Sequence, residues 1–170
     1  MRTKSQKKKS QEWTVCLKDT PLGPLHLTFT AKGLAALDFA DKGGEITPGS
    51  PPPPGLRPMI DAVKRQLRQY FAEGVADFTG LPLDLQGTPF QKRVWRELPR
   101  IPRGQTISYQ ELAERIGSPR GFRAAGQANR RNPVPIIIPC HRVIAADGSL
   151  GGYSSGIERK AWLLKHEAAR

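Results

Sequence analysis

Between residues 13 and 39 apolar positions come in short runs, LHLTFT and LAALDFA among them, broken by TPLGP and AKG. That rhythm predicts a meander of short strands. Residues 41–58, DKGGEITPGSPPPPGLRP, hold too much proline and glycine for a helix or a central strand, so they are expected to form an extended surface loop. In the next segment, MIDAVKRQLRQYFAEG, the pattern changes to helical: Ile60, Val63, Leu67 and Tyr70 or Phe71 fall on one stripe, and Gly74 is a natural stop. This helix should pack on the strands. Composition shifts again after FTGLPLDLQG, which places a domain boundary near Gly87, dividing 13–86 from 87–170.

Beyond that boundary the start and stop signals are strong. Thr88 offers an N-cap, Pro89 the first helical position and Gln91 the third residue of a capping box, opening PFQKRVWREL until Pro99 stops it. Ser108 and Glu111 repeat the logic in SYQELAERIG, with Leu112 and Ile116 inward and Gly117 at the end. A third helix is expected from Ser118 and Pro119 through RGFRAAGQANRRN, ending before Pro133. Two short helices around a Gly-Ser turn, the second rich in arginine, make a helix-turn-helix pattern. Gly121 and Gly126 each cost about 1 kcal/mol in a helix interior. With Ala124, Ala125 and Ala128 they permit a close approach to another helix or to DNA, while Arg120, Arg123, Arg130 and Arg131 reach phosphates. Tight helix packing with a solvated basic face is the other reading. The last helix, GIERKAWLLKHEAAR, is expected to pack Ile157, Ala161 and Leu164 or Leu163, with Trp162 nearby. It delivers His166 and Glu167 near the terminus. The class is therefore α+β: a small N-terminal strand meander with one helix, then a mostly helical C-terminal domain.

Charge narrows the partner. The 170 residues carry 27 Lys and Arg against 15 acidic residues, a formal charge of +12, and such an excess favours a polyanion because phosphate neutralisation releases condensed counterions. Residues 1–12 read as a basic disordered tail. No stretch approaches the ~18 consecutive apolar residues of a membrane span, and the first residues lack the apolar centre of a secretory signal. A cytoplasmic protein is expected, nucleoid-associated if bacterial. The two cysteines, Cys16 and Cys140, are too far apart to suggest a disulfide framework.

Cys140 is the candidate for chemistry. It lies between a proline and a histidine after an aliphatic run, in NPVPIIIPCHRVIAADG, where prolines bracket a short buried strand and leave the thiol at its end. A lone buried cysteine is usually inert packing. His141 beside it and the Gly-rich turn after it supply a base and an access route, and a carboxylate such as Glu167 that reached His141 would complete a Glu-His-Cys relay. With three histidines, two scattered cysteines and no CxxC or HxxxH spacing, a metal site is discounted. A papain-like hydrolase stays open, although no oxyanion hole or peptide groove is identifiable.

The string PCHRV, preceded by NPVPIIIP and followed by GGYSSG and KAWLLKHE, closely resembles the O6-alkylguanine-DNA alkyltransferases, also called methylated-DNA–protein-cysteine methyltransferases. The match runs in order from FQKRVWRELPRIPRGQTISYQELAERIG to the end, about half the chain; the N-terminal strands agree in layout only. The resemblance implies that Cys140 is the alkyl acceptor, His141 its base acting through a water, and Glu167 the partner of His141. It implies that Asn132 braces the turn, that Tyr109 donates a proton to the guanine leaving group, and that Val143, Tyr153, Ser154 and Ser155 line or cover the base pocket. Arg123 matches an arginine finger that replaces the extruded nucleotide, and Gln91, Gln110 and Ser118 match DNA-backbone contacts, with Arg130 beside them.

The reaction so implied is direct-reversal repair: a flipped nucleotide is attacked by a thiolate, the helix-turn-helix enters the minor groove with little sequence preference, and the thioether ends the protein's working life after one turnover. The expected partner is double-stranded DNA containing O6-alkylguanine, with O4-alkylthymine as a further substrate, the protein acting as a monomer without membrane contact or cofactor. Some members of the family hold zinc near the N-terminus; with only Cys16 and His26 there, none is expected here. Alkyltransferase-like proteins carry tryptophan at the cysteine position, so Cys140 argues against that group. Arg131, in the helix-to-strand turn, is expected to alter DNA affinity. A non-catalytic lesion-binding module and a thiol hydrolase are the competing classes.

Overall fold

A computed structural model describes residues 11–43 and 50–168. Most of the expected basic tail and the middle of the Pro/Gly segment lie outside the described residues. Strands β1 (Trp13–Leu17), β2 (Leu25–Thr30) and β3 (Gly33–Phe39) form an antiparallel sheet in the order β1-β2-β3. Period-two alternation sends Leu17, Leu25, Leu27, Phe29, Leu37 and Phe39 into the core. Gly33 is fixed by space: a Cβ there would lie 2.4 Å from the Pro82 carbonyl oxygen. That carbonyl accepts from Leu34 N at 2.9 Å, and Leu34 O accepts from Asp84 N at 2.9 Å.

The segment expected as an extended loop is helical at both ends. A short helix α1 (Ala40–Gly43) follows β3, a 3-10 turn spans Pro54–Leu56, and α2 (Arg57–Glu73) begins before the last proline of the segment. Proline is compatible with a first helical turn because the N–H it lacks would have no partner there. α2 buries Ile60, Val63, Leu67, Tyr70 and Phe71. Gly74 ends it at φ 67°, donating its N–H to the Tyr70 carbonyl.

α3 (Pro89–Glu97) has the expected capping box: Thr88 Oγ1 accepts from Gln91 N at 3.2 Å and Gln91 Oε1 accepts from Thr88 N at 2.9 Å. A 3-10 turn, Leu98–Arg100, closes it. The two-residue strand β4 (Ile107–Ser108) leads into α4 (Tyr109–Arg115), capped by Ser108 Oγ accepting from Glu111 N at 3.0 Å. α5 (Phe122–Arg130) starts later than expected, because residues 118–121 close a turn through Gly121 N and Ser118 O at 2.7 Å. Gly121 is thus an N-cap and not an interior residue; a Cβ on it would sit 2.4 Å from Ser118 Oγ. α5 buries Ala125, Ala128 and Asn129 against α3 and α4, and Trp95 Nε1 donates to Ala128 O at 2.9 Å.

The segment before Cys140 is a buried turn, where the aliphatic run predicts a strand. Prolines at 133, 135 and 139 offer no N–H to a ladder, Ile138 N turns back to Val134 O at 2.9 Å, and Ile136 sits at φ 74°. A left-handed β-branched residue costs about 1–2 kcal/mol, so surrounding contacts must hold the turn. One reaches it from the sheet: Leu37 N donates to Pro133 O at 2.8 Å. A 3-10 turn, Cys140–Arg142, then feeds β5 (Val143–Ile144), which pairs in parallel with β4, and α6 (Ile157–Ala168) ends the described chain. The inward face of α6 also differs from the apolar stripe expected. Lys160, Leu163 and Glu167 are buried, while Ala161 is exposed and Ile157 is 40% exposed.

Candidate active site

Glu167 is the electrostatic centre of the site. Its Oε1 lies 2.9 Å from His141 Nε2, accepts from Tyr70 Oη at 2.8 Å and from Arg142 Nη2 at 2.9 Å, and its Oε2 accepts from Arg142 Nε at 2.8 Å. Arg142 is itself tied down, Nη1 donating to Ile101 O at 2.7 Å. Burial alone would raise the Glu167 pKa, but hydrogen bonds and charge from His141 and Arg142 override it and hold the carboxyl far below its ordinary range. The carboxylate is therefore ionised and fixes His141 with Nε2 toward it. Burial lowers the His141 pKa, against the pull of Glu167. The buried Nδ1 of His141 meets no protein partner among the described residues.

Cys140 is the next residue along the 3-10 turn and only 4% exposed. Burial raises its pKa, while Asn132, Tyr153 and the Lys160 charge work in the opposite direction. Asn132 braces the turn from both sides, Nδ2 donating to Ile138 O at 2.7 Å and Oδ1 accepting from Val134 N at 3.0 Å. Tyr153 Oη is buried near the thiol without a partner of hydrogen-bond geometry among the described residues. Lys160 Nζ donates to Val143 O at 2.6 Å and to Leu150 O. Burial brings its pKa down to about 8.

Tyr109 connects this interior to the surface. Its ring centroid lies 6.0 Å from Lys160 Nζ, and a Cβ on Gly151 would come 3.3 Å from its hydroxyl. Outside it opens a groove of about 380 Å³ lined by Tyr109, Phe122, Arg123, Gly126, Gln127, Arg130 and Gly152. Arg123 is exposed and lies over the Phe122 ring at 5.5 Å, with Phe122 itself 42% exposed. Arg130 lines the same groove. Thus the structure gathers Cys140, His141, Glu167, Asn132, Tyr109 and Tyr153 around one interior, with Arg123 and Arg130 lining the groove on the outer side of Tyr109.

The remaining candidates are less convergent. Val143 is buried with its carbonyl taken by Lys160, while Ser154 is exposed and Ser155 half-buried. Gln91 uses its oxygen in the α3 cap, and Gln110 Nε2 is engaged by Glu114 Oε1 at 2.9 Å and Pro119 O at 3.0 Å. Ser118 is half-buried under Gly121.

The arrangement has counterparts among known proteins. Residues 14–85 match the family model described as 6-O-methylguanine DNA methyltransferase, ribonuclease-like domain, and residues 89–169 match its DNA binding domain. The chain belongs to the 6-O-methylguanine DNA methyltransferase family. It is 46% identical over 149 residues to the methylated-DNA–protein-cysteine methyltransferase of Methanosarcina barkeri, covering 88% of this chain and 93% of that protein. Among solved structures, the Mycobacterium tuberculosis O6-methylguanine methyltransferase superposes with TM-score 0.79 at 40% identity over 94% of both chains. The Mycobacterium tuberculosis OGT in complex with DNA gives 0.76 at 42% identity, over 93% of this chain and 92% of that one.

Four residues of this methyltransferase-family site escape a sequence reading. Tyr70 looks like an ordinary core aromatic, Arg142 and Lys160 like surface cations, and Asn129, whose Nδ2 donates to Cys140 O at 3.2 Å, like a helix polar residue. Only one signal points to any of them. Lys160 and Glu167 lie two helical turns apart and so share a face.

Proposed function

We propose that this chain repairs DNA by direct reversal, taking the alkyl group, chiefly methyl, from O6 of guanine, and also from O4 of thymine, onto Sγ of Cys140. The observation that carries the reading is the buried thiol adjoining the His141–Glu167 pair, behind an arginine-lined groove. The alkyl carbon of a base in a duplex is out of reach of a buried thiol, so the nucleotide must be flipped past Tyr109. His141 Nδ1 takes the thiol proton through an intervening water, Glu167 stabilises the resulting imidazolium, and Lys160 steadies the thiolate. The thiolate attacks the alkyl carbon in line. The carbon–oxygen bond breaks, its electrons pass to the base, and Tyr109 protonates the leaving ring. A carbon–sulfur bond remains and nothing in the site cleaves it, so each molecule reacts once.

Asn132 holds the turn that presents Cys140, and Val143, Tyr153, Ser154 and Ser155 enclose the base. α5 sits in the minor groove, with Arg123 in the space of the extruded nucleotide and Arg130, Gln91, Gln110 and Ser118 toward the backbone. Residues 13–86 and 87–170 act as two units divided near Gly87. The catalytic groups come from one chain, which fits a monomer, and a DNA substrate places the work in the cytoplasm, on the nucleoid if the cell is bacterial.

Intact mass and peptide mapping after mixing with an equimolar O6-methylguanine duplex test this. One methyl group on Cys140, absent in Cys140→Ala, is expected. Tight binding with no mass change would make the protein a lesion sensor, and an adduct that water releases would make it a hydrolase.

A further inference from the structure

We propose that Tyr70, contributed by the N-terminal half, is a positioning residue for alkyl transfer: its hydroxyl holds Glu167 in the orientation that aims His141 at Cys140. This rests on the proposed role of Cys140 as alkyl acceptor, with His141 and Glu167 as its base pair. Glu167 is the penultimate residue of α6, and last turns fray unless tied down. α2 supplies the tie. Its Tyr70 carbonyl lies 2.8 Å from His166 Nε2, the Tyr70 ring meets the His166 imidazole edge-on at 5.5 Å, and the Tyr70 hydroxyl donates to Glu167 Oε1 at 2.8 Å. One tyrosine therefore grips two consecutive residues of α6 by opposite ends. Gly74, at the end of α2, keeps the approach close, since a Cβ there would lie 3.2 Å from His166 O.

Three donors converge on Glu167 Oε1: Tyr70 Oη, His141 Nε2 and Arg142 Nη2. Arg142 is bidentate and anchors the carboxylate as a whole, whereas the Tyr70 hydroxyl acts only on the oxygen that His141 uses. Burial first, and the Glu167 charge second, raise the Tyr70 pKa, so the hydroxyl stays protonated and donates throughout the working pH range. A neutral donor on Oε1 also makes that oxygen a weaker base. It orients His141 without overstabilising the imidazolium.

The test is the second-order rate of methyl transfer from an O6-methylguanine duplex, per active molecule, for full-length wild type and Tyr70→Phe across a pH range of about 5 to 9, which brackets the ordinary histidine and cysteine values. Loss of one hydrogen bond to a charged group predicts a roughly ten-fold slower reaction. The acid limb of the profile should also move to higher pH, because a carboxylate with one donor fewer holds the imidazolium more tightly, and His141 must lose its proton before it can serve as the base. Phe78→Leu, which disturbs the ring packed 5.8 Å from Tyr70 without touching Glu167, should change neither quantity. An unaltered rate and limb in Tyr70→Phe would overturn the proposal, and so would a loss confined to the fraction of active molecules. If wild type itself leaves Cys140 unmethylated, the underlying reading fails and not the role of Tyr70.

Discussion

Helices α5 and α6 flank the same site and work in opposite ways. α5 buries alanines and Asn129 and turns its arginines to solvent, so its cations are available to a partner. α6 turns Ile157 and Ala161 outward and buries Lys160 and Glu167. An exposed charge is screened by water and salt; a buried one sets the protonation of its neighbours. Under the proposed function, recognition rests on the outer face of one helix and chemistry on the inner face of the other.

Removing the Glu167 charge should break this contrast most severely. Glu167→Gln leaves Arg142 and His141 without their buried counter-charge, and breaking a buried pair costs about 3–5 kcal/mol. Methyl transfer should fall at least ~100-fold with the loss of the organised base. The pH dependence has a definite sign. The folded carboxyl pKa is depressed, so the stabilisation is complete above the ordinary value of 4.5 and is lost as pH falls through the folded value. Urea titrations from about pH 5 down to roughly pH 2.5 should show wild type losing stability more steeply than Glu167→Gln. Parallel slopes would remove Glu167 from the centre of the network.

The same division governs what the sequence reveals. α5 is legible because capping residues, glycines and exposed arginines are local signals; only its start is displaced, since the steric demand of Ser118 on Gly121 is a contact and not a pattern. Cys140, His141 and Glu167 are legible through the strings PCHRV and KHE. The turn before Cys140 mimics a strand because three isoleucines have strand propensity, while three prolines leave no ladder to join. On α6 the expected apolar stripe holds only at Leu163, because the other inward positions, Lys160 and Glu167, are polar. Hydrophobic periodicity cannot find a buried lysine and glutamate whose partners, Val143 O, Tyr70 and Arg142, come from distant segments. The grip of α2 on α6 is tertiary and has no sequence signature.

A smaller effect should sharpen the role of the buried face. Lys160→Met removes the positive charge that lowers the Cys140 pKa, so the acid limb of methyl transfer should move to higher pH and the rate at neutral pH should fall roughly ten-fold. The limb moves in the same direction as that of Tyr70→Phe, and the stability profile separates the two. Wild type carries a lysine whose folded pKa, about 8, lies below its ordinary 10.5. The unfolded chain therefore holds more protons between those values, and wild-type stability rises with pH through that window. In Lys160→Met that alkaline rise should vanish.

The smallest effect belongs to the exposed face. Arg130 is solvent-exposed on the groove wall, away from the buried network. Arg130→Ala should weaken duplex binding by about 1 kcal/mol and reduce the dependence of log K on log salt by ~0.9 if it neutralises one phosphate. Lesion and undamaged duplexes should lose affinity alike, because a phosphate contact carries no information about the base. At saturating DNA the transfer rate should stay at the wild-type value, with its pH limb unmoved, since Tyr109 stands between the groove and the interior that holds Cys140. Fluorescence anisotropy from about 50 to 200 mM salt, paired with single-turnover transfer, measures both. A change in the limb would mean that the outer cations help ionise the thiol, and the separation of labour between α5 and α6 would then have to be abandoned.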